Sequence, residues 1–329
     1  MQQDWERRHD FVALEGLPLP SMLQPAFAGK RLTSAELLTG GKCNTNYKIR
    51  IEGLTDTFVL RIYVRDISAC ERERDLFALI GKHIPVPEIV YSHMEDDQLP
   101  LTYAISHWVD GILFSDIQQS NDLTAINEGA YAIGETLAHI GNYTFPHAGF
   151  FGPNLTITGS DENNQNAFLT YFKQFLFADH AGQHLGPERT TRLWRFLEAH
   201  ATDFQALDGA TTLVHSDYKG FNILVRQQQQ HWKVAAVLDW EFAMAGSQLM
   251  DIGNMLRYEH LLPPDFERAF MAGYRDQGGH LPPHWKQITK LVDLLSLCEF
   301  LSKPAPGAAL ITEVTALVDH TLDQWSTFA

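Results

Sequence analysis

From residue 45 to residue 66 apolar and polar positions alternate. The runs "NYKIRIEG" and "TFVLRIYVRD", separated by the turn signal "GLTD", predict an antiparallel hairpin. The period then changes: in "ACERERDLFALIGKHI", Leu76, Phe77, Leu79 and Ile80 recur at helical spacing behind a charged first turn. The stretch "PVPEIVYSHMEDDQLPLTYAISHWVDG" predicts two more strands around an acidic turn and ends at Asp110–Gly111, a punctuating dipeptide. From Ile112 onward long helical patterns take over. In "DLTAINEGAYAIGETLAHIGNY", Ile126, Ala130, Ile133, Leu137 and Ile140 form one stripe; "TTRLWRFLEAHATDFQAL" and the region after Pro264 are helical again. The polar "TITGSDENNQN" predicts a surface loop. Embedded in this helical half is a single strand pair, "LVHSDYKGFNILV" and "KVAAVLDW". The pattern predicts an α+β chain of two lobes. An antiparallel sheet with one helix occupies residues 1–106, a larger, mainly helical lobe occupies 107–329, and the junction lies at about 105–111.

Composition narrows the function. A length of 329 residues suits two domains or one two-lobed domain, and 45% hydrophobic with 20% charged residues is ordinary for a globular protein. No apolar run approaches the roughly 18 residues that span a bilayer; the best, Leu291 to Leu301, is broken by Asp293 and Glu299. The N-terminal "MQQDWERRHD" lacks a secretory apolar stretch, so a cytoplasmic protein without a membrane partner is expected. A net charge of −15 repels phosphate backbones and argues against nucleic acid as a partner. Cys43, Cys70 and Cys298 are far apart and form no metal-binding spacing.

The polar residues wedged between apolar strand ends carry the chemistry. His215, Asp217 and Asn222 fit the pattern H-x-D-x-x-x-x-N, and Asp239 ends the next apolar strand, with the run Gln227 to Gln230 as the hairpin's polar turn. A hairpin brings Asn222 and Asp239 to one end, where an amide oxygen and a carboxylate suit Mg²⁺. Asp217 beside them can orient an attacking hydroxyl and accept its proton. This is the order of groups in phosphoryl transfer on the protein-kinase plan. A phosphate-binding half is expected upstream. Gly40, Gly41, Lys42 and Asn44 sit just before the first hairpin, and alternation puts Val59, Arg61 and Tyr63 on one face. Arg61 stands where a phosphate-holding lysine is expected, with Glu73 as its ion-pair partner and Val59 toward the base.

Through "GGKCNTNY", "FVLR", "ERE", "HSDYKGFN", "VLDWE" and "LMDIG", from about Leu37 to about Gly279, the sequence resembles the aminoglycoside phosphotransferase and choline kinase superfamily, whose fold is related to protein kinases. The resemblance implies Asp217 as the catalytic residue, Asn222 and Asp239 as Mg²⁺ ligands, and Arg61 with Glu73 as the counterpart of the Lys–Glu pair. It makes 105–111, with His107, the hinge that binds the base of ATP (or GTP), and it gives Asp251 a structural role bracing the catalytic loop; His215 is expected to be structural too. Arg61 departs from the lysine of the best-known members, and a planar fork does not replace a point charge. The expected activity is transfer of the γ-phosphate to a hydroxyl of a small molecule. An antibiotic phosphotransferase competes with a metabolic kinase for choline, a sugar, homoserine or a similar metabolite. A non-catalytic nucleotide-binding pseudokinase is the alternative from another class, and the presence of Asp217, Asn222 and Asp239 together argues against it. A monomer and a homodimer are both compatible with the sequence. The charge of −15 and the carboxylates Glu259, Asp265, Glu267, Asp276, Asp293 and Glu299 favour a cationic acceptor, with a neutral polyhydroxyl compound as the alternative.

Overall fold

The computed structural model describes residues 7, 9–41, 43–158 and 165–329. Strands β1 (Leu32–Leu38), β2 (Thr45–Ile51), β3 (Thr57–Ile62), β4 (Ile89–His93) and β5 (Tyr103–His107) make one antiparallel sheet in the order β1-β2-β3-β5-β4. The expected hairpin is β2–β3, with Lys48 opposite Val59 and Asn46 opposite Arg61. The sequence pattern shows no sign of β1. It is an edge strand with no fully buried residue, so pairing with β2 holds it rather than a buried face. Tyr47, Ile49, Phe58, Leu60 and Ile105 pack on Met22, Leu23 and Phe27 from the segment before β1. That leaves the opposite face, with Lys48, Val59 and Arg61, toward a cleft.

Helices of twelve residues or more are labelled α1 (Ser68–Ile80), α2 (Leu123–Ile140), α3 (Pro187–Ala199), α4 (Asp265–Asp276), α5 (Trp285–Leu301) and α6 (Ala308–Asp323). Helix α1 belongs to the first half in sequence, yet Leu76 and Ile80 are buried in the apolar cluster of the second half. Asp122 caps α2 by accepting from Ala125 N, and the predicted stripe on α2 is buried. Helices α2 and α4 meet at two glycines: a Cβ on Gly134 would lie 2.0 Å from Phe270 O, and one on Gly273 would lie 2.0 Å from Tyr131 O. The helical run expected through Leu207 breaks at His200, where α3 gives way to a 3₁₀ stretch, Ala201–Leu207.

The second half contains more strand than its pattern suggests. The predicted pair is β10 (Ile223–Gln228) and β11 (His231–Val237), and Gln229 and Gln230 turn between them at φ 50° and 69°. To these are added β6 (Ile112–Leu113), which pairs with β10, and a separate sheet of β7 (Gly149–Phe151), β8 (Ile157–Thr158), β9 (Thr212–Val214) and β12 (Met244–Gly246). Strands of two or three residues are too short to show alternation, which is why the sequence suggests a single pair. Among the described residues, no helix is long and apolar enough to cross a membrane. The predicted loop "TITGSDENNQN" lies largely outside the described residues.

Candidate active site

The loop from His215 to Asn222, between β9 and β10, is shaped by buried polar groups. His215 is fully buried; its Nε2 donates to Leu238 O (2.9 Å) and its Nδ1 accepts from Asp217 N (3.2 Å). That network assigns the neutral tautomer. Burial lowers the pKa of His215 and so favours the same form. Asp251, on the short helix Leu249–Met255, accepts from His215 N and Ser216 N, both at 2.8 Å, while Asn254 Nδ2 donates to Ser216 O (3.0 Å). These bonds hold Ser216 at φ 66°, a left-handed conformation costly for a residue with a Cβ.

Asp217 emerges from this loop with both carboxylate oxygens engaged. Asn222 Nδ2 donates to Oδ2 and Lys219 Nζ lies against Oδ1, each at 2.7 Å. Asn222 Nδ2 also donates to Asp217 O (2.9 Å), so the amide nitrogen is committed to Asp217 and the amide oxygen is what Asn222 can offer a cation. Ile223 pairs with Val237, and Leu238 N donates to Asn222 O (2.8 Å). The hairpin therefore brings Asn222 and Asp239 to one end. Across the cleft, Arg61 Nη2 lies 2.5 Å from Asp239 Oδ1 and 3.5 Å from Glu73 Oε1, and Tyr63 Oη donates to Glu73 Oε2 (2.5 Å). Burial alone would raise the pKa of Asp239, but Arg61 outweighs it and holds the carboxyl below the ordinary range. The sequence pairs Arg61 with Glu73; the contact with Asp239 is additional.

An amide oxygen and a carboxylate at a hairpin end, with the Asp239 side chain 33% exposed, form a hard-oxygen donor set open on one side. Such a set fits Mg²⁺, which retains water and phosphate oxygens as its other ligands. Among the described residues no group of three or more His, Cys, Asp or Glu gathers as a closed metal cage.

The nucleotide-facing candidates divide. Val59 and Arg61 share the cleft face, and Gly40 and Gly41 form the turn before β2, where a Cβ on Gly40 would meet nothing within 4 Å. Lys42 lies outside the described residues. Asn44 is buried and committed: its Nδ2 donates to Glu241 Oε2 and its Oδ1 accepts from Val64 N, both at 3.2 Å. Its side chain ties the glycine turn to the segment after Asp239. His107 pairs in register with Phe58, and their rings lie 4.9 Å apart, so its ring is on the sheet face away from Val59. The expected base contact at 105–111 therefore does not come from the His107 ring. The aromatic group beside the cleft face is Trp108, whose ring lies 3.9 Å from Lys48 Nζ. Sequence reasoning also passed over Glu241, whose carboxyl is pushed up to about 7 by burial and the charge of Asp239, with Arg61 and Arg65 pulling the other way.

The six carboxylates considered for a cationic acceptor are mostly spoken for. Glu259 pairs with Lys290 (2.6 Å), Glu267 with Lys286 (2.6 Å), Asp265 with Arg268 (2.8 Å) and Asp293 with Arg257 (2.5 Å). Asp276 accepts from Tyr131 Oη (2.8 Å), and Glu299 is exposed.

Residues 34–288 match the model of the APH phosphotransferase enzyme family, well over half of the chain. The chain belongs to that family. No curated protein matches it at the level of sequence. Among solved structures, the APH phosphotransferase fold is shared with the aminoglycoside phosphotransferase APH(4)-Ia in ternary complex with AMP-PNP and hygromycin B. The identity is 17%, covering 92% of this chain and 97% of that one at a TM-score of 0.69. The GDP and kanamycin complex of APH(2″)-IIIa is similar at 16% identity, 92% and 97% coverage and TM-score 0.69. A GDP complex of an aminoglycoside 2′-phosphotransferase-IIIa variant is similar at 15% identity, 94% and 98% coverage and TM-score 0.70. As an APH phosphotransferase the chain is an enzyme that transfers a phosphoryl group to a hydroxyl.

Proposed function

We propose that this enzyme transfers the γ-phosphoryl group of ATP or GTP, with Mg²⁺, to a hydroxyl of a small molecule bound between the catalytic loop and the C-terminal helices. The observation that carries this reading is the convergence of Asp217, Asn222, Asp239 and Arg61 on one cleft. The nucleotides AMP-PNP and GDP in the similar structures support it. In this reading residues 1–106 form the nucleotide lobe, 107–329 the catalytic lobe, and 105–111 the hinge.

Asp217 orients the acceptor hydroxyl and takes its proton as attack proceeds. Asn222 fixes the Asp217 rotamer through Nδ2, which leaves its amide oxygen for a cation at the hairpin end it shares with Asp239. Those two residues would hold Mg²⁺, which when bound neutralises charge on the β- and γ-phosphates. Arg61, steadied by Glu73, supplies a guanidinium fork toward the same phosphates as its contact with Asp239 loosens. Val59 packs beside the base. Calorimetric titration of the purified protein with ATP and GTP, with and without Mg²⁺, tests the proposal. The expected result is Mg²⁺-dependent binding that Asp239→Ala abolishes, because the phosphate charges lose their link to the protein. Tight binding that ignores both Mg²⁺ and Asp239 overturns it.

A further inference from the structure

The wall beside Asp217 carries two basic side chains, Lys219 and Arg257, among apolar ones such as Met255 and Leu262, although the chain as a whole is acidic. A shallow depression that opens to solvent is lined among others by Gln118, Lys219, Phe221, Asn254, Arg257 and Tyr258, with no acidic side chain among its lining residues. Lys219 brings its ammonium group directly to the catalytic carboxylate. Arg257, only 2% exposed, is fixed by Asp293 at Nε and Nη2 and by Asn254 Oδ1 (2.8 Å), and Asn254 in turn holds Ser216 O. One guanidinium is thus locked into the frame of the catalytic loop, while one ammonium group rests on the base itself.

That arrangement sets a condition on the acceptor. Asn222 keeps Asp217 Oδ2, so the oxygen available to an incoming hydroxyl is Oδ1, where Lys219 now sits. Lys219 must give up this contact for Asp217 to act. Its ammonium group, 22% exposed, then needs another anion, from the acceptor or from the γ-phosphate, and the experiment below separates these two sources. A cationic acceptor in the same pocket adds like charge. We propose that the acceptor carries an anionic group, a carboxylate or a phosphate, which takes Lys219 near Arg257 and so frees Asp217 Oδ1 for the hydroxyl. The inference rests on the phosphotransfer reading above and adds the class of acceptor. Long-range repulsion by the net charge of −15 does not prevent it, because salt screens charges beyond roughly 8–10 Å while the pocket cations act at contact.

The experiment compares short hydroxy acids with their carboxamides and with the matching amino alcohols, alongside phosphate-bearing alcohols and aminoglycosides, all with Mg·ATP. A charge-assisted bond contributes about 1.5–3 kcal/mol, so an acid or a phosphate ester should exceed its uncharged analogue in kcat/KM by about tenfold or more, mostly through KM. Preference for the carboxylate or the phosphate series identifies the anion. In Lys219→Gln the ratio should fall to about twofold, and in Lys219→Arg it should persist, which separates loss of charge from loss of fold. Preference for amines or aminoglycosides overturns the proposal. So does a Lys219→Gln variant that slows acids and amides equally, since Lys219 then serves the nucleotide. If Mg·ATP binds but no acid is bound or phosphorylated better than its amide, this inference fails while the phosphotransfer reading stands. Failure to bind Mg·ATP counts against the reading itself.

Discussion

Asp217 can be replaced by Asn with little change of shape, and that makes it the sharpest residue to test. The amide can still meet Asn222 and keep the loop in place, but it cannot take a proton. Asp217→Asn is expected to lower kcat by about 10²–10⁴-fold while nucleotide affinity measured by calorimetry holds. Glu241 supports a different measurement. Its carboxyl titrates near 7 in the folded enzyme, raised chiefly by burial and then by Asp239, against an ordinary 4.5. Between those values the unfolded chain gives up the proton and the folded chain keeps it, so stability falls as pH rises from 4.5 to about 7 and then levels off. Glu241→Gln removes that cost. Its unfolding free energy from urea titration should match wild type near pH 4 and exceed it at pH 8, by at most about 3 kcal/mol. At this scale legibility followed spacing. Asp217, Asn222 and Asp239 stand at intervals that carry meaning without a structure. Lys219 looks like any loop lysine, and Arg257 gains its place through Asn254 and through Asp293, 36 residues on.

At the scale of elements, the β2–β3 hairpin and helix α2 were legible because each has one buried face and one period. Strand β1 was not, because an edge strand is held by backbone pairing that leaves no side-chain signature. The glycines of α2 and α4 were equally silent: in sequence they only weaken a helix, whereas in the fold they set how closely two helices approach. Gly134→Ala should therefore destabilise rather than improve α2. Its Cβ would sit 2.0 Å from Phe270 O, and overpacking of this kind costs about 1–3 kcal/mol. A lower urea midpoint checks this. Tyr218 ties the catalytic loop to the same place through its hydrogen bond to Ile133 O (2.8 Å), so a helix pushed outward would move the loop too.

Over the whole molecule, Arg72 is one of the polar links between the two halves. Arg72 on α1 donates from Nη2 to Glu241 O (2.7 Å) and to Asp66 Oδ2 (2.8 Å), and from Nη1 to Phe151 O (3.4 Å). The sequence places Arg72 beside Glu73 without showing that it faces the other half. Arg72→Ala should cost roughly 1.5–3 kcal/mol and raise KM for the nucleotide more than it lowers kcat, because the sheet and the catalytic hairpin are then less firmly registered. Steady-state kinetics against nucleotide concentration separates the two effects.

One backbone angle narrows the chemistry that the hairpin end can use. Asp239 sits at φ 65°, a region that glycine enters readily and that, among residues with a Cβ, asparagine and aspartate enter most often. A glutamate there keeps the charge but strains the chain, an asparagine fits the chain but discards the charge, and a glycine fits while offering no ligand at all. Of the twenty-letter alphabet, the backbone admits a short list, and in the proposed phosphotransfer reading the phosphates strike all but one from it, so that reading sets the demand for aspartate at this position twice over.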